Sequence, residues 1–431
     1  MKLISIREKF IKLKSEGFFS IFFSDVIAKI VAFMGGTILI HILTKEDYGT
    51  FTYILNAISI LSIFGDFGAA NATMQFASEN YNNENRKNAY ISLGLKISIT
   101  TSLLSCALVF FSPYFYPFKS VEAADMTRIL FMIPLIVSLN TFIIGVVRAA
   151  LKNKRFALLN AFTAFIHYLV IIPFAYFGGL LAAVVSRYFF DGLTLIFGIV
   201  LSFSLFKFVK YKDYLTSNER KGFVKFSLAT QLNTTIDSLL ISADIFLIGL
   251  LVPDMTVIAS YKTASIIPNA MIFLPSSLMI FLIPYFVRHN RDKIWMKKYT
   301  KILIGFCFVF FGSLTLITII FAPLIIRLIF GTEYGDAVLC FRILMIGFFF
   351  SSAFKMPLNN IIFTMKKVKI NILATVFSGI FNVLLDPILI LKFGSAGAAI
   401  TTCFVMIANS IVVIIYTYLT LYRNNKLIAK N

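Results

Sequence analysis

Apolar runs long enough to cross a lipid bilayer recur along the whole chain, about twelve times, and they leave little else to fold. A hydrocarbon core about 30 Å thick takes roughly 20 helical residues per crossing. Inside it every backbone polar group must be bonded within the segment, so such runs become helices. We place them at about 19–43, 48–70, 88–112, 128–149, 156–177, 179–206, 223–251, 256–287, 301–326, 338–363, 369–391 and 394–422. Only 14% of the residues are charged, against about 25% in a soluble domain. The expectation is an all-α polytopic membrane protein of about twelve transmembrane helices, without a sizeable soluble domain.

The basic residues fix a direction. Of 40 Lys and Arg, 29 fall in loops on the side of the first residue and 6 on the other side, alternating at every loop. This is the positive-inside pattern, and it predicts that both termini are cytoplasmic. The net charge of +20 therefore serves topology, and no nucleic-acid partner is expected. Residues 1–18 read as a basic amphipathic segment on the inner leaflet, with none of the small-residue cleavage signal of an export peptide. Residues 207–222 form a cytoplasmic linker and 423–431 a cytoplasmic tail. The four cysteines (106, 307, 340, 403) lie in or beside apolar runs and the three histidines are scattered, so neither a disulfide nor a metal site is expected. No G-x-x-x-x-G-K-[ST] phosphate loop occurs, and no loop is long enough for a catalytic domain, so no cofactor and no enzyme activity are expected.

The chain also repeats itself. TRILFMIPLIVSLNTFIIGVV (127–147) matches FRILMIGFFFSSAFKMPLNNI (341–361) at an offset of 214, which also aligns Lys152 with Lys366 and Pro173 with Pro387. A small-residue helix start follows each proline, GGLLAAVV at 178 and GSAGAAIT at 394. Residues 19–206 and 223–422 thus read as two copies of one six-helix bundle. Six is even, so the copies share an orientation and form a parallel repeat. A central cavity is expected between them.

Apart from the Lys and Arg already assigned to the two sides, eleven charged residues fall inside the spans: Asp25, Asp66, Asp191, Asp237, Asp244, Asp386, Lys29, Lys96, Arg187, Lys262 and Lys355. Each costs about 2.5–3.5 kcal/mol at the bilayer centre, so they must pair, snorkel or face water. Arg187 and Asp191, four residues apart, suit a local ion pair. Asp25 and Lys29 have the same spacing but open a stripe that continues through Ala32 and Gly36. Further stripes run through Thr52, Asn56, Ser59 and Asp66; through Ser227, Gln231, Thr234, Asp237 and Asp244; and through Lys262, Ser265, Asn269 and Ser276. These stripes fall on the first two spans of each copy and are the ones expected to line the cavity. Spans 3, 9 and 12 are mostly apolar and expected outside. Pro268, Pro275 and Pro284 predict a bent eighth span beside the cavity.

The segment FSDVIAKIVAFMGGTILIHILTKEDYGTFTYILNAISILSIFGDFGAANATMQFASE (23–79) resembles the opening of bacterial polysaccharide flippases, the O-antigen translocases of the multidrug/oligosaccharidyl-lipid/polysaccharide exporter superfamily. The carrying features are the Leu-Thr-x-x-Asp-Tyr-Gly turn at 43–49, Gly-Asp-Phe-Gly at 65–68, FGTEYGDA at 330–337 and FNVLLDPILILKFGSAGAAITT at 381–402. The resemblance implies a V-shaped cavity in a bacterial inner-membrane protein, and transport of undecaprenyl-pyrophosphate-linked oligosaccharide between leaflets. Its partners would be that substrate, membrane lipids and other polysaccharide assembly proteins. By the same resemblance Lys29 and Lys262 would receive pyrophosphate and sugars, Asp25 would hold Lys29, and Asp237 or Asp244 would couple to H⁺ or Na⁺. The acids outnumber the bases in the stripes, however. That leaves a second reading, a cation-coupled drug exporter of the same superfamily with Asp25, Asp66 and Asp237 as ligands.

Overall fold

The computed structural model describes residues 18–118, 120–206, 209–289, 292–365 and 369–422. Among them all regular structure is helical. Seven helices are long and apolar enough to cross a bilayer, and Val121–Ile129 with Ile133–Ala149 forms an eighth such element bent by 47°. The remaining predicted spans are helical as well, but broken or more polar. The predicted segment 1–18, apart from Phe18, and the tail 423–431 lie outside the described residues.

The chain divides into two compact units, Met1–Ser242 and Ala243–Asn431. In the first, α1 is Phe18–Ile42, α2 Lys45–Leu61, α3 Ala69–Glu79, α4 Glu84–Phe111, α5 Val121–Ile129, α6 Ile133–Ala149, α7 Asn153–Ser202, α8 Tyr211–Tyr214 and α9 Ser217–Leu251. The division falls inside α9. A straight 50-residue α7 would be about 75 Å long, more than twice the hydrocarbon thickness. It is not straight: Gly179 has φ 60 and ψ −149, a conformation open to glycine, and splits α7 into the two predicted spans.

The Leu-Thr-x-x-Asp-Tyr-Gly turn is a helix start. The Thr44 hydroxyl accepts the Asp47 N–H at 3.1 Å, and Glu46 and Asp47 sit in the first turn, where the helix dipole favours acids. Gly-Asp-Phe-Gly is the break between α2 and α3. Phe67 and Gly68 both lie in the left-handed region (φ 51 and 70), and a Cβ on residue 68 would collide with the Ser227 carbonyl oxygen. α1 packs along α7, and α3 and α4 pack on α6. Tyr90, Leu93, Ala72 and Phe223 form one core cluster, and Ile91, Phe142 and Val146 another. The linker is docked: α8 lies on α4, the Val209 N–H donates to Ser92 at 3.2 Å, and Arg86 pairs with Glu219. Lys96 joins this contact, 3.5 Å from the Tyr211 hydroxyl.

In the second unit, α10 is Met255–Met271, α11 Phe273–Arg288, α12 Lys293–Ile320, α13 Ala322–Phe330, α14 Ala337–Phe350, α15 Met356–Thr364, α16 Lys369–Phe393 and α17 Ser395–Tyr422. The predicted eighth span breaks at Ile272, between Pro268 and Pro275. A π turn, Ser351–Lys355, joins α14 to α15. α16 and α17 form a hairpin at Gly394, and α17 packs on α14. α12 turns Phe306, Val309 and Ile317 outward, as expected of a lipid-facing span. α17 does not follow that expectation. It buries Thr401, Asn409 and Ser410, small polar residues that bond inside the helix bundle. All four cysteines are free and buried.

Candidate functional site

In the first unit the predicted stripe residues separate into exposed and bonded groups. Asp25 and Lys29 are exposed on α1, and Asp25 accepts the Asn160 amide at 2.7 Å. Asn56 and Gln231 are buried. The Asn56 amide donates to the Ser242 carbonyl at 3.1 Å, and the Gln231 amide to the Ile63 carbonyl and to Thr235. Both side chains tie helix backbones together. Asp66 lies just before Gly68, the N-cap residue of α3, and accepts the Ala70 N–H from the first turn at 3.2 Å. Arg187 and Asp191 form the expected pair at 3.1 Å, with Asn140 donating to the Asp191 carbonyl. The Asp237 side chain lies outside the described residues.

In the second unit Lys262 is half-buried and Asn269 exposed, two turns apart on α10. The densest polar cluster lies deeper. Asp244, near the end of α9, is 7% exposed. Its Oδ2 accepts hydrogen bonds from the Tyr261 hydroxyl on α10 and from the Thr402 hydroxyl on α17, the latter at 2.8 Å. Asp386 on α16 lies close enough for the two carboxyl groups to interact. Asp386 is fully buried, and neither of its carboxyl oxygens has a hydrogen-bond partner among the described residues. The nearby Thr401 hydroxyl donates to the Gly397 carbonyl at 3.3 Å instead. Among the described residues no Lys or Arg pairs with either acid.

Two neighbouring carboxyl groups in a dry site cannot both carry uncompensated charge, so a proton or cation has to sit with them. The donors are all oxygens, which suits a proton or a hard cation. Among the described residues no group of three or more His, Cys, Asp or Glu side chains gathers as a metal site.

The sequence offers Asp244, with Asp237, as a coupling candidate, and the structure adds Asp386, Tyr261 and Thr402 beside it. One signal was available. At the repeat offset Asp386 replaces Ile172, next to the matched prolines Pro173 and Pro387. An acid introduced into an otherwise apolar repeat position needs a reason.

A family model described as polysaccharide biosynthesis protein matches residues 38–339. An uncharacterized membrane protein of Methanocaldococcus jannaschii is 26% identical, over 93% of this chain and 82% of its own length. Among solved structures, an inward-facing multidrug resistance MATE family transporter of the MOP superfamily superposes with a TM-score of 0.71 at 14% identity, covering 91% of this chain and 94% of that one. The lipid II flippase MurJ in an inward closed conformation gives 0.68 at 16% identity, covering 95% and 90%. These two likenesses establish the fold.

Proposed function

The chain belongs to the polysaccharide biosynthesis protein family, and from that premise we propose that it is a flippase for lipid-linked polysaccharide repeat units. Its substrate is an O-antigen-type oligosaccharide on undecaprenyl pyrophosphate, moved from the cytoplasmic to the periplasmic leaflet of a bacterial inner membrane. Both termini stay in the cytoplasm, following the bias of basic residues. Transport runs by alternating access and is coupled to H⁺ or Na⁺.

The buried Asp244–Asp386 pair carries this reading. A bound cation or proton supplies the positive charge that the pair lacks. Tyr261 and Thr402 fix the Asp244 oxygen, so four helices (α9, α10, α16 and α17) share one charge-sensitive contact. Occupancy there can bias which packing of these helices is stable. Lys29 and Lys262 are the cations that receive the pyrophosphate, and Asn269, on the Lys262 face of α10, contacts sugar. Asp25, anchored by Asn160, sets the local charge around Lys29.

Removing the chain from its host should leave lipid-linked repeat units on the cytoplasmic leaflet and deplete surface polymer. Normal surface polymer in such cells refutes the reading. Normal polymer with altered resistance to cationic dyes points to drug export, the reading that the MATE likeness favours.

A further inference from the structure

The second unit holds a cavity of mixed lining, distinct from the acid pair. It lies between the break at Ile272 and the π turn and has a volume of about 360 Å³; Ser351, Ser352, Lys355, Asn359 and Asn360 line one part of it, and the apolar side chains of Ile272, Met356 and Phe363 the rest. That volume is at the lower end of small-ligand sites, about 300–1,000 Å³. In the π turn the Met356 N–H reaches back five residues to the Ser351 carbonyl. Such turns widen a helix and recur at functional sites. Here the widening lies directly before Pro357, which lacks the N–H that a regular helix would need. On the facing side the Ile272 N–H is shared between the Asn269 carbonyl, at 3.3 Å, and the Ala270 carbonyl. Two irregular helices therefore frame one hole inside predicted membrane spans.

The lining is specific in chemistry. Its polar part offers an ammonium, two hydroxyls and two carboxamides, and no carboxylate, beside the apolar surface of Ile272, Met356 and Phe363. The Asn360 amide donates to the Met356 carbonyl at 2.9 Å, while the Asn359 Oδ1 is buried without a partner among the described residues. Hydroxyls and carboxamides both donate and accept, as sugar hydroxyls do, whereas an ammonium only donates and suits a phosphate. The set is not a packing need of the repeat. At the offset of 214 the first copy has Val137, Ser138, Thr141, Gly145 and Val146 in these places.

We propose that this cavity is a phosphosugar subsite, with phosphate oxygens at Lys355 and sugar hydroxyls at Ser351, Ser352, Asn359 and Asn360. It rests on the flippase reading and names where the carrier-proximal sugar and phosphate sit. The same chemistry could be met by the headgroup of an anionic phospholipid, so the test separates the two.

Full-length protein in uncharged detergent is titrated with three probes: a short-chain prenyl diphosphate carrying one N-acetylhexosamine, the same diphosphate without sugar, and short-chain phosphatidylglycerol. Affinity is read by thermophoresis on monodisperse samples. The sugar-bearing probe should bind best. Lys355→Gln should weaken it roughly 10–100-fold, the range for a bond to a charged group, while Lys355→Arg stays within a few-fold of the parent. Asn359→Ala should weaken the sugar-bearing probe and leave the bare diphosphate unchanged, which keeps the test decisive if Lys355→Gln does not fold. Parent binding that neither variant alters overturns the subsite and leaves the flippase reading standing. Phosphatidylglycerol binding as tightly as the sugar probe makes this a lipid site and also overturns it. A parent that binds neither diphosphate overturns both.

Discussion

The two units treat charge within the predicted spans in opposite ways. In Met1–Ser242 each intramembrane charge with a resolved bond has a fixed protein partner: Arg187 holds Asp191, Asn160 holds Asp25, and the α3 backbone holds Asp66. In Ala243–Asn431 two acids share one site with no base paired to them among the described residues, and the carboxyl oxygens of Asp386 have no hydrogen-bond partner there. Folding alone does not favour such a pair, since burying an unpaired charge is among the costliest errors a helix bundle can make. The first arrangement reads as structure and the second as a site kept for an exchangeable charge.

The largest effect that tests this contrast is at Asp386. Asp386→Asn should abolish cation-driven transport in proteoliposomes while the thermal unfolding midpoint stays level or rises. The stability forecast follows from what is lost: a buried carboxyl with no hydrogen-bond partner among the described residues. A large drop in the midpoint would assign Asp386 to the core and sink its role in coupling.

Asp191 should behave the other way round. Its side chain is 12% exposed and pairs with Arg187. Asp191→Asn strands the guanidinium, at a cost of about 3 kcal/mol, the low end for a broken buried pair. Unfolding midpoints should fall, and transport per folded molecule should survive. Replacing both members by apolar residues should recover most of the lost stability. If Asp191→Asn instead melts like the parent but fails to transport, the contrast between the units collapses.

Much of the fold could be read from the chain, because a bilayer leaves a segment few options. The predicted spans are largely helical, and breaks at Gly179, Gly394 and between Pro268 and Pro275 fall where backbone chemistry calls for them, whereas the predicted span 48–70 is interrupted at 62–68 and 128–149 is bent near 130–132. The site was less legible. A helical stripe tells which residues share a face and not what that face meets. Asn56 and Gln231 obey the same periodicity as a cavity lining, yet they meet backbone carbonyls. Asp244 and Asp386 stand on helices far apart in sequence, and only tertiary packing brings them together. Span 12 looked apolar by composition, but a single hydroxyl, Thr402, makes it part of the site. The π turn needed one further step, from Pro357 to the carbonyl it leaves unbonded one turn earlier.

The smallest effect is the most discriminating for the first unit. Asp66 has the right type and depth for a coupling acid, and the structure instead gives it the Ala70 N–H at the start of α3. An Asn carboxamide oxygen can accept the same N–H, whereas Ala loses that bond, worth roughly 1 kcal/mol. Asp66→Asn should therefore match the parent in both melting and transport, and Asp66→Ala should melt slightly lower and still transport. The Asn variant removes only the charge, so it isolates what an ion ligand would need and a hydrogen-bond acceptor would not. If Asp66→Asn stops transport with melting unchanged, each unit has its own coupling acid, and the asymmetry between them lies only in how that acid is held.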